Sequence, residues 1–358
     1  MPELFVEDLE HVLSLTAGIW EEMRGGRLFI TGGTGFFGCW LLETFTNAVD
    51  RLGLSASAVV LTRNPAAFAR KALHLAAHRA VRLHQGDVRD FDFPSGDFSH
   101  VIHAATESST TLNADDPGTM LDTILSGTRR VLDFARQARV RKLLLTSSGA
   151  IYGRQPPELT HVPEEYPGGP DPCDVRSAYA EGKRIAELLC ALESQRTGLE
   201  CKIARCFAFI GPHLPLDAHF AMGNFLRDAL VGEPIRVRGD GTPYRSYLYA
   251  ADLAVWLWTI LFRGRSGRAY NVGSGQGFPL IEIARQVAAA CQPQLPVSVA
   301  RRPEPGKLPE CYVPCIKRST EELGLEESIN LDAAIHRTLR WHRSMTSGLP
   351  VSPSRVLT

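Results

Sequence analysis

The sequence predicts an α/β protein, a doubly wound parallel sheet with a smaller C-terminal α+β lobe. Three observations lead there. Short apolar runs alternate with helix-length patterns as far as Arg205, the spacing of a parallel sheet covered by helices on both faces. A glycine cluster, Gly32-Gly33-Thr34-Gly35-Phe36-Phe37-Gly38, falls where the first such run meets the next helix. Beyond Arg205, proline, glycine and aromatic residues become denser, as at Gly211-Pro212 and Gly239-Asp240-Gly241.

Taken in order, residues 4–23 carry apolar side chains at helical spacing (Leu9, Val12, Leu13, Ile19, Trp20) and stop at Gly25-Gly26. This predicts an additional helix ahead of the main fold. Strands are expected at 27–31, 58–61, 81–85, 100–103, 142–146 and 201–205, and helices at 39–50, 66–77, 119–139 and 178–197. Later helices are expected near 225–230, 251–262, 280–290 and 331–342. The resulting division is an N-terminal extension (1–24), a sheet domain (25–207) and a second lobe (208–343) that returns part of 240–262 to the sheet domain. A Ser/Pro-rich tail (344–358) is expected to fray.

Among 358 residues, Lys+Arg and Asp+Glu both number 39, so the formal net charge is zero. A general nucleic-acid or anionic-membrane binder would show a basic excess. No apolar stretch is long enough to span a bilayer, and Glu3, Glu7, Asp8 and Glu10 give the wrong charge order for a secretory signal. A cytoplasmic protein is expected. The eight cysteines include no CxxC pair and read as reduced thiols. Cys311-x3-Cys315 and His74-x3-His78 each lack a second ligand pair, so no metal site is expected.

The triplet Gly32-x2-Gly35-x2-Gly38 lets the backbone turn tightly and approach a pyrophosphate, while the following helix start offers free N–H donors and a positive dipole end. Its strand-to-helix position predicts a Rossmann-type dinucleotide site, with Gly32, Gly35, Phe36, Phe37 and Gly38 against the cofactor. Asp87-Val88, past the third strand, is expected at the adenine. The second strand ends in Thr62-Arg63-Asn64, where a carboxylate would grip an NAD ribose. Arg63 would instead pair with a 2′-phosphate, so the cofactor is NAD or NADP with a modest lean to NADP.

Tyr179-x3-Lys183 lies in a helical run, and a four-residue step places both side chains on one face. A neighbouring ammonium, with the positive charge of a nicotinamide close by, is expected to stabilise phenolate and lower the phenol pKa. Upstream, Ser148 follows a strand end, where open α/β sheets present ligands. Ser148 and Tyr179 would share a substrate hydroxyl proton while hydride leaves for the cofactor.

TGGTGFFG (31–38), GDV (86–88), HAATES (103–108), TSSGAIYG (146–153), RSAYAEGKRIAE (176–187), GPH (211–213), GDGTPYRSYLYAADLA (239–254) and YNVGSG (270–275) occur in this order. With them the sequence resembles the extended short-chain dehydrogenase/reductase superfamily, in its NAD(P)-dependent nucleotide-sugar epimerase/dehydratase branch. The resemblance implies a catalytic triad of Ser148, Tyr179 and Lys183, with Lys183 also touching the cofactor alongside Ala104 and Ala105. It implies substrate contacts from Glu107, Ser148, Gly149, Asn224 and Arg245, the last gripping a diphosphate. Asp252 is expected to orient that segment without chemistry of its own. It further implies a nucleoside diphosphate sugar as substrate and a homodimer through a four-helix bundle of 119–139 and 178–197.

Departures from the family pattern narrow the reaction. The 4,6-dehydratases carry an Asp-Glu pair where Gly149 and Ala150 stand, and UDP-glucuronate decarboxylases carry Glu at Ala150 and an Arg-Lys-Pro-Asp segment at Tyr312-Val313-Pro314-Cys315. The expected activity is therefore hydride transfer at the sugar C4, as a 4-epimerase or 4-ketoreductase. The alternatives are a dehydratase or decarboxylase with relocated acid/base residues and, in another class, a non-catalytic NAD(P)-binding regulator.

Overall fold

The computed structural model describes residues 3–106, 115–216 and 220–346. Six strands, β1 (Arg27–Thr31), β2 (Ser57–Thr62), β3 (Val81–Gln85), β4 (His100–His103), β5 (Lys142–Ser148) and β6 (Glu200–Cys206), form a sheet with Ala269–Val272 as a seventh. The spatial order is Ala269–Val272, β6, β5, β4, β1, β2, β3, and every pair is parallel. Strand order reverses between β1 and β4, the place where such sheets open a crevice at their carboxyl ends.

Alternation along the strands divides the interior in two. Leu28, Ile30, Val60, Ile102 and Leu144 face one core, while Phe29, Val59, Leu61, Val101, Leu143 and Leu145 face the other. Strands buried on both faces read as continuous apolar runs, which is why β1 and β5 are legible in the sequence. The first core includes buried residues of the helices Phe36–Leu52 and Ala250–Arg263. The second includes those of Pro117–Gln137 and Ala178–Thr197.

Local chemistry sets these helices. Asp116 accepts the Thr119 N–H and precedes Pro117 at the first helical position. Gly198 ends Ala178–Thr197 at φ 78, a left-handed cap that glycine adopts without a Cβ penalty. Gly182 lets that helix approach Pro117–Gln137, since a Cβ there would lie 2.9 Å from Ile124.

Four expectations need adjustment. Residues 4–23 form a helix, Glu3–Thr16, and a separate 3₁₀ turn, Trp20–Met23. The Thr16 hydroxyl accepts the Trp20 Nε1–H at 2.9 Å across the break. This extension belongs to the core: Phe5, Leu9, Val12 and Trp20 are buried, and buried Asp8 accepts the Tyr249 hydroxyl at 2.5 Å and pairs with Arg337. The helix expected at 66–77 breaks at Ala72. The one expected near 225–230 begins earlier, spanning Ala221–Val231, because Met222 continues the buried stripe of Phe225, Leu226 and Ala229. The seventh strand, Ala269–Val272, has no counterpart among the expected ones.

The C-terminal lobe pairs Ile235–Val237 with Val297–Val299. It also builds a three-stranded sheet in which Tyr244–Arg245 lies between Phe278–Pro279 and Cys311–Tyr312. Most of the tail expected to fray, 347–358, lies outside the described residues. Among the described residues no helix is long and apolar enough to cross a membrane.

Candidate active site

The glycine loop leaves β1 at the switch point. Gly32 has φ +70, and a Cβ there would lie 2.4 Å from the Ala104 carbonyl oxygen. Gly38 packs still closer, since its Cβ would fall 2.3 Å from the Gly33 backbone. Gly35 precedes the helix Phe36–Leu52 and makes no side-chain cap, which leaves first-turn N–H groups available to an anion. These residues fit a dinucleotide pyrophosphate. Phe36 stands at the helix start, and Phe37 packs edge-on against Phe209 at 5.0 Å. Ala104 and Ala105 form the facing wall, with the Ala105 N–H donating to the Thr31 hydroxyl at 3.1 Å.

Thr31 also shares a 2.8 Å hydrogen bond with His103 Nδ1, and His103 Nε2 meets Thr128 at 3.1 Å. Burial, with the Lys183 charge nearby, lowers the His103 pKa to about 3, so the ring stays neutral. It ties β1, β4 and the helix Pro117–Gln137 together beneath the crevice. At its outer end, exposed Arg63 contributes its charge to holding the Asp87 carboxyl below the usual carboxylate range. The larger cause is Arg89, whose Nε donates to Asp87 at 2.8 Å. Val88 turns inward against Gly127.

On the other wall, Ser148 ends β5, and Tyr179 and Lys183 project from the helix Ala178–Thr197. Glu187, one turn beyond Lys183, locks this helix to the sheet by accepting from Ser147 at 2.5 Å and from Arg205 at 2.8 Å. The Ser148 hydroxyl accepts the Ala150 N–H at 3.1 Å. Buried Lys183 donates to Thr106 Oγ1 and to the Thr146 carbonyl, both at 2.8 Å, with Nζ 5.9 Å from the Tyr179 ring centre.

The depression of the Tyr179 pKa is expected from Lys183 and a nicotinamide charge together; in the protein without the nicotinamide the balance is different. Removal of the phenol from water raises its pKa, opposed by the Ser148 side chain. The same desolvation lowers Lys183 to about 8. The reason is geometric: the ammonium is held by Thr106 and Thr146 and has the phenol ring nearby, and it does not bond the phenol oxygen. A bound nicotinamide supplies the hydride acceptor and a further positive charge.

The predicted substrate contacts are spread over both lobes. Arg245 is half-buried on the strand Tyr244–Arg245 and lies 3.9 Å from Glu310. Asn224 lies in the first turn or two of Ala221–Val231. Gly149 is buried beside Ser148 and has no room for a side chain, since a Cβ would meet the Tyr312 hydroxyl at 2.7 Å and the Phe207 ring at 2.8 Å. Glu107 lies outside the described residues. Asp252 accepts the Ser328 and Ile329 N–H groups, each at 3.1 Å, and so fixes the turn before the last helix.

Sequence reasoning misses Phe207, Thr106 and Tyr312. Thr106 sits in the HAATES segment, and a hydroxyl beside the lysine was the available signal. Tyr312 stands out in the sequence only as the place where an arginine is missing.

With this geometry in hand, the comparisons with known proteins are specific. Residues 28–273 match the model of the NAD dependent epimerase/dehydratase family, and the chain belongs to that family as an NAD-dependent enzyme. It is 30% identical over 307 residues to UDP-glucuronic acid decarboxylase 6 of Arabidopsis thaliana, covering 85% of each chain. It is 28% identical to UDP-glucuronic acid decarboxylase 1 of Xenopus tropicalis, covering 88% of this chain and 72% of that one. Among solved structures, the UDP-glucose 4-epimerase of Thermus thermophilus in complex with NAD has 27% identity and a TM-score of 0.72. That match covers 88% of this chain and 99% of the epimerase.

Proposed function

We propose that this enzyme oxidises a C4 hydroxyl, or reduces a C4 ketone, on the sugar of a nucleoside diphosphate sugar, as a 4-epimerase or 4-ketoreductase. The observation that carries the reading is the placing of Ser148 at the end of β5 with Tyr179 and Lys183 on the adjoining helix, with glycine and alanine at 149 and 150 in place of carboxylates. In the oxidative direction Tyr179 takes the C4 hydroxyl proton, Ser148 holds that oxygen in line, and the positive charges of Lys183 and a bound nicotinamide together would stabilise the phenolate. In the reductive direction Tyr179 returns the proton to the alkoxide. Arg245 would grip the diphosphate, as a planar guanidinium matches paired phosphate oxygens. The names of the curated relatives favour a uridine nucleotide.

A second reading, decarboxylation of a uridine-linked glucuronate, is favoured by those same relatives. The absence of a carboxylate at Ala150 and of an arginine at Tyr312 stands against it. Incubation with NAD and UDP-glucose, UDP-galactose or UDP-glucuronate, followed by NMR of the sugar, separates the two. Inversion at C4 without carbon dioxide is the expected result, or NAD(P)H-dependent reduction of a 4-keto sugar. Carbon dioxide from UDP-glucuronate would overturn the main reading, and solvent deuterium at C5 or C6 would indicate dehydration. Cofactor binding without turnover of any of these would make the protein a regulator.

The helices Pro117–Gln137 and Ala178–Thr197 pack side by side, and Leu188 and Leu192, four residues apart, are 57% and 54% exposed. This apolar stripe supports a homodimer closed by four helices. Leu188→Glu is expected to shift the mass measured by light scattering to that of a monomer.

A further inference from the structure

We infer that Thr106 is a positioning residue that ties the Lys183 ammonium to the glycine-loop wall of the crevice, fixing where that charge stands and leaving one ammonium proton for a ligand or for Tyr179. The inference rests on the proposed role of Lys183. Three observations support it. Buried Lys183 donates to Thr106 Oγ1 and to the Thr146 carbonyl, both at 2.8 Å. Thr106 is itself held twice, its hydroxyl donating to the Ala105 carbonyl at 2.8 Å and its N–H to the Ala104 carbonyl at 3.1 Å. Those two alanines are fixed to the first wall. The Ala104 N–H donates to the Thr31 carbonyl at 3.2 Å and the Ala105 N–H to the Thr31 hydroxyl at 3.1 Å, while the Ala104 carbonyl oxygen lies 2.4 Å from where a Gly32 Cβ would stand.

Hydrogen-bond capacity defines what Thr106 does. An ammonium has three protons and no acceptor position, whereas a threonine hydroxyl has one proton and two acceptor positions. The Thr106 proton goes to Ala105, so its oxygen meets Lys183 as an acceptor. Two of the three Lys183 protons are thereby committed, one to each wall: Thr106 follows β4 and Thr146 lies on β5. The third is left for a phenolate or a bound cofactor. A buried ammonium that loses an acceptor has no water to replace it, so the charged form becomes harder to keep.

The titratable groups around this ammonium come from three elements. Tyr179, Glu187 and Cys190 share its helix, Cys206 ends β6 and His103 ends β4. Glu187 is committed to Arg205 at 2.8 Å. Burial raises the Cys206 thiol to about 12 and keeps it neutral, Cys190 is a buried free thiol, and His103 is neutral as described. Among the described residues, the hydrogen-bond acceptors of the ammonium are therefore Thr106 and Thr146. Of these Thr106 alone accepts through its side chain, so it is the one that substitution can remove.

The test is Thr106→Val, which exchanges the hydroxyl for a methyl group of similar size, compared with Thr106→Ala and Thr106→Ser, all in the NAD-loaded protein. The Cε resonance of Lys183, assigned by its loss in Lys183→Met, is followed against pH by NMR of carbon-labelled protein. In Thr106→Val and Thr106→Ala the ammonium is expected to deprotonate about one pH unit lower than in the parent, a tenfold change in its ionisation constant, because an acceptor favours the charged form. Thr106→Ser keeps the oxygen and should titrate as the parent does. The alkaline limb of kcat/KM should move to lower pH by the same amount and return in Thr106→Ser. A Lys183 titration that is unmoved in the valine or alanine variant, or that moves equally in Thr106→Ser, overturns the inference. The alanine variant reads the same quantity should the valine not fold. Because the titration needs no substrate, it decides this point even where the C4 assignment fails. Conversely, a Tyr179→Phe enzyme that retained turnover would sink the proposed function without touching the titration result.

Discussion

On the glycine-loop side of the crevice the chain presents backbone and excludes side chains; on the Tyr179 side it presents hydroxyls and an ammonium. Gly32 and Gly38 have no space for a methyl group, so the first wall is fixed by sterics and depends largely on local sequence. The second wall is assembled from β5 and the helix Ala178–Thr197, with Cys311–Tyr312 beside Gly149, and Lys183 and Glu187 are held by groups from other parts of the chain. The difference teaches that the proposed cofactor wall is fixed by backbone sterics of low tolerance, whereas the proposed proton-handling wall is held by side-chain hydrogen bonds.

The comparison is broken most severely at the first wall. Gly38→Val is expected to abolish NAD binding and to destabilise the fold by about 3 kcal/mol, the upper range for overpacking. Calorimetric titration and thermal unfolding would check both, and an NAD affinity within about tenfold of the parent would show that the loop tolerates side chains. At the second wall, Tyr179→Phe should lower kcat by about 10²–10⁴-fold, the usual share of general acid–base catalysis, while NAD affinity changes less than about twofold. Loss of binding and turnover together would mean that the two walls are not separable.

A smaller effect is expected at Arg245. Its replacement by alanine should raise the KM for a nucleoside diphosphate sugar about tenfold or more, as for a hydrogen bond to a charged group, with kcat nearly unchanged. A fall in kcat alone would place Arg245 in the chemistry.

Buried histidines give a pH signature of the scaffold beneath both walls. Burial lowers His103 to about 3 and His100 to about 4 in the folded protein, against about 6.5 unfolded. The unfolded chain therefore binds more protons below about pH 6.5, and stability should decline as pH falls from there toward about 4. Each of the two sites contributes at most about 1.4 kcal/mol per pH unit. Urea midpoints across this range would check the sign, and replacement of His103 by Gln should flatten the slope. The smallest effect is expected at Arg63: its replacement by alanine should weaken NADP severalfold and leave NAD unchanged, measured by equilibrium binding. Equal losses for both cofactors would remove it from the 2′-phosphate.

Much of this was legible before any coordinates. The parallel sheet follows from apolar runs that bury on two faces, and the glycine loop from a short run of residues at the end of one strand. Tyr179 and Lys183 are equally local, one helical turn apart. The place of Tyr312 beside Gly149 was not, because it comes from a strand far along the chain, and a phenol in that segment has no local pattern to mark it. The N-terminal helix was legible as a helix, yet its bond from Asp8 to Tyr249 and Arg337 was not.

The amino-acid sequence by itself determined the fold class, since the apolar period specifies a parallel sheet, and it singled out the glycine loop and the proposed Ser148, Tyr179 and Lys183 set through the order of the motifs and the family resemblance. Tertiary structure decided which groups surround that set: Thr106 and Thr146 on Lys183, Tyr312 beside Gly149, and the desolvation that raises Tyr179 and lowers Lys183. Burial and long-range hydrogen bonding are properties of packed surfaces from separate segments, and those surfaces exist only once the chain has folded.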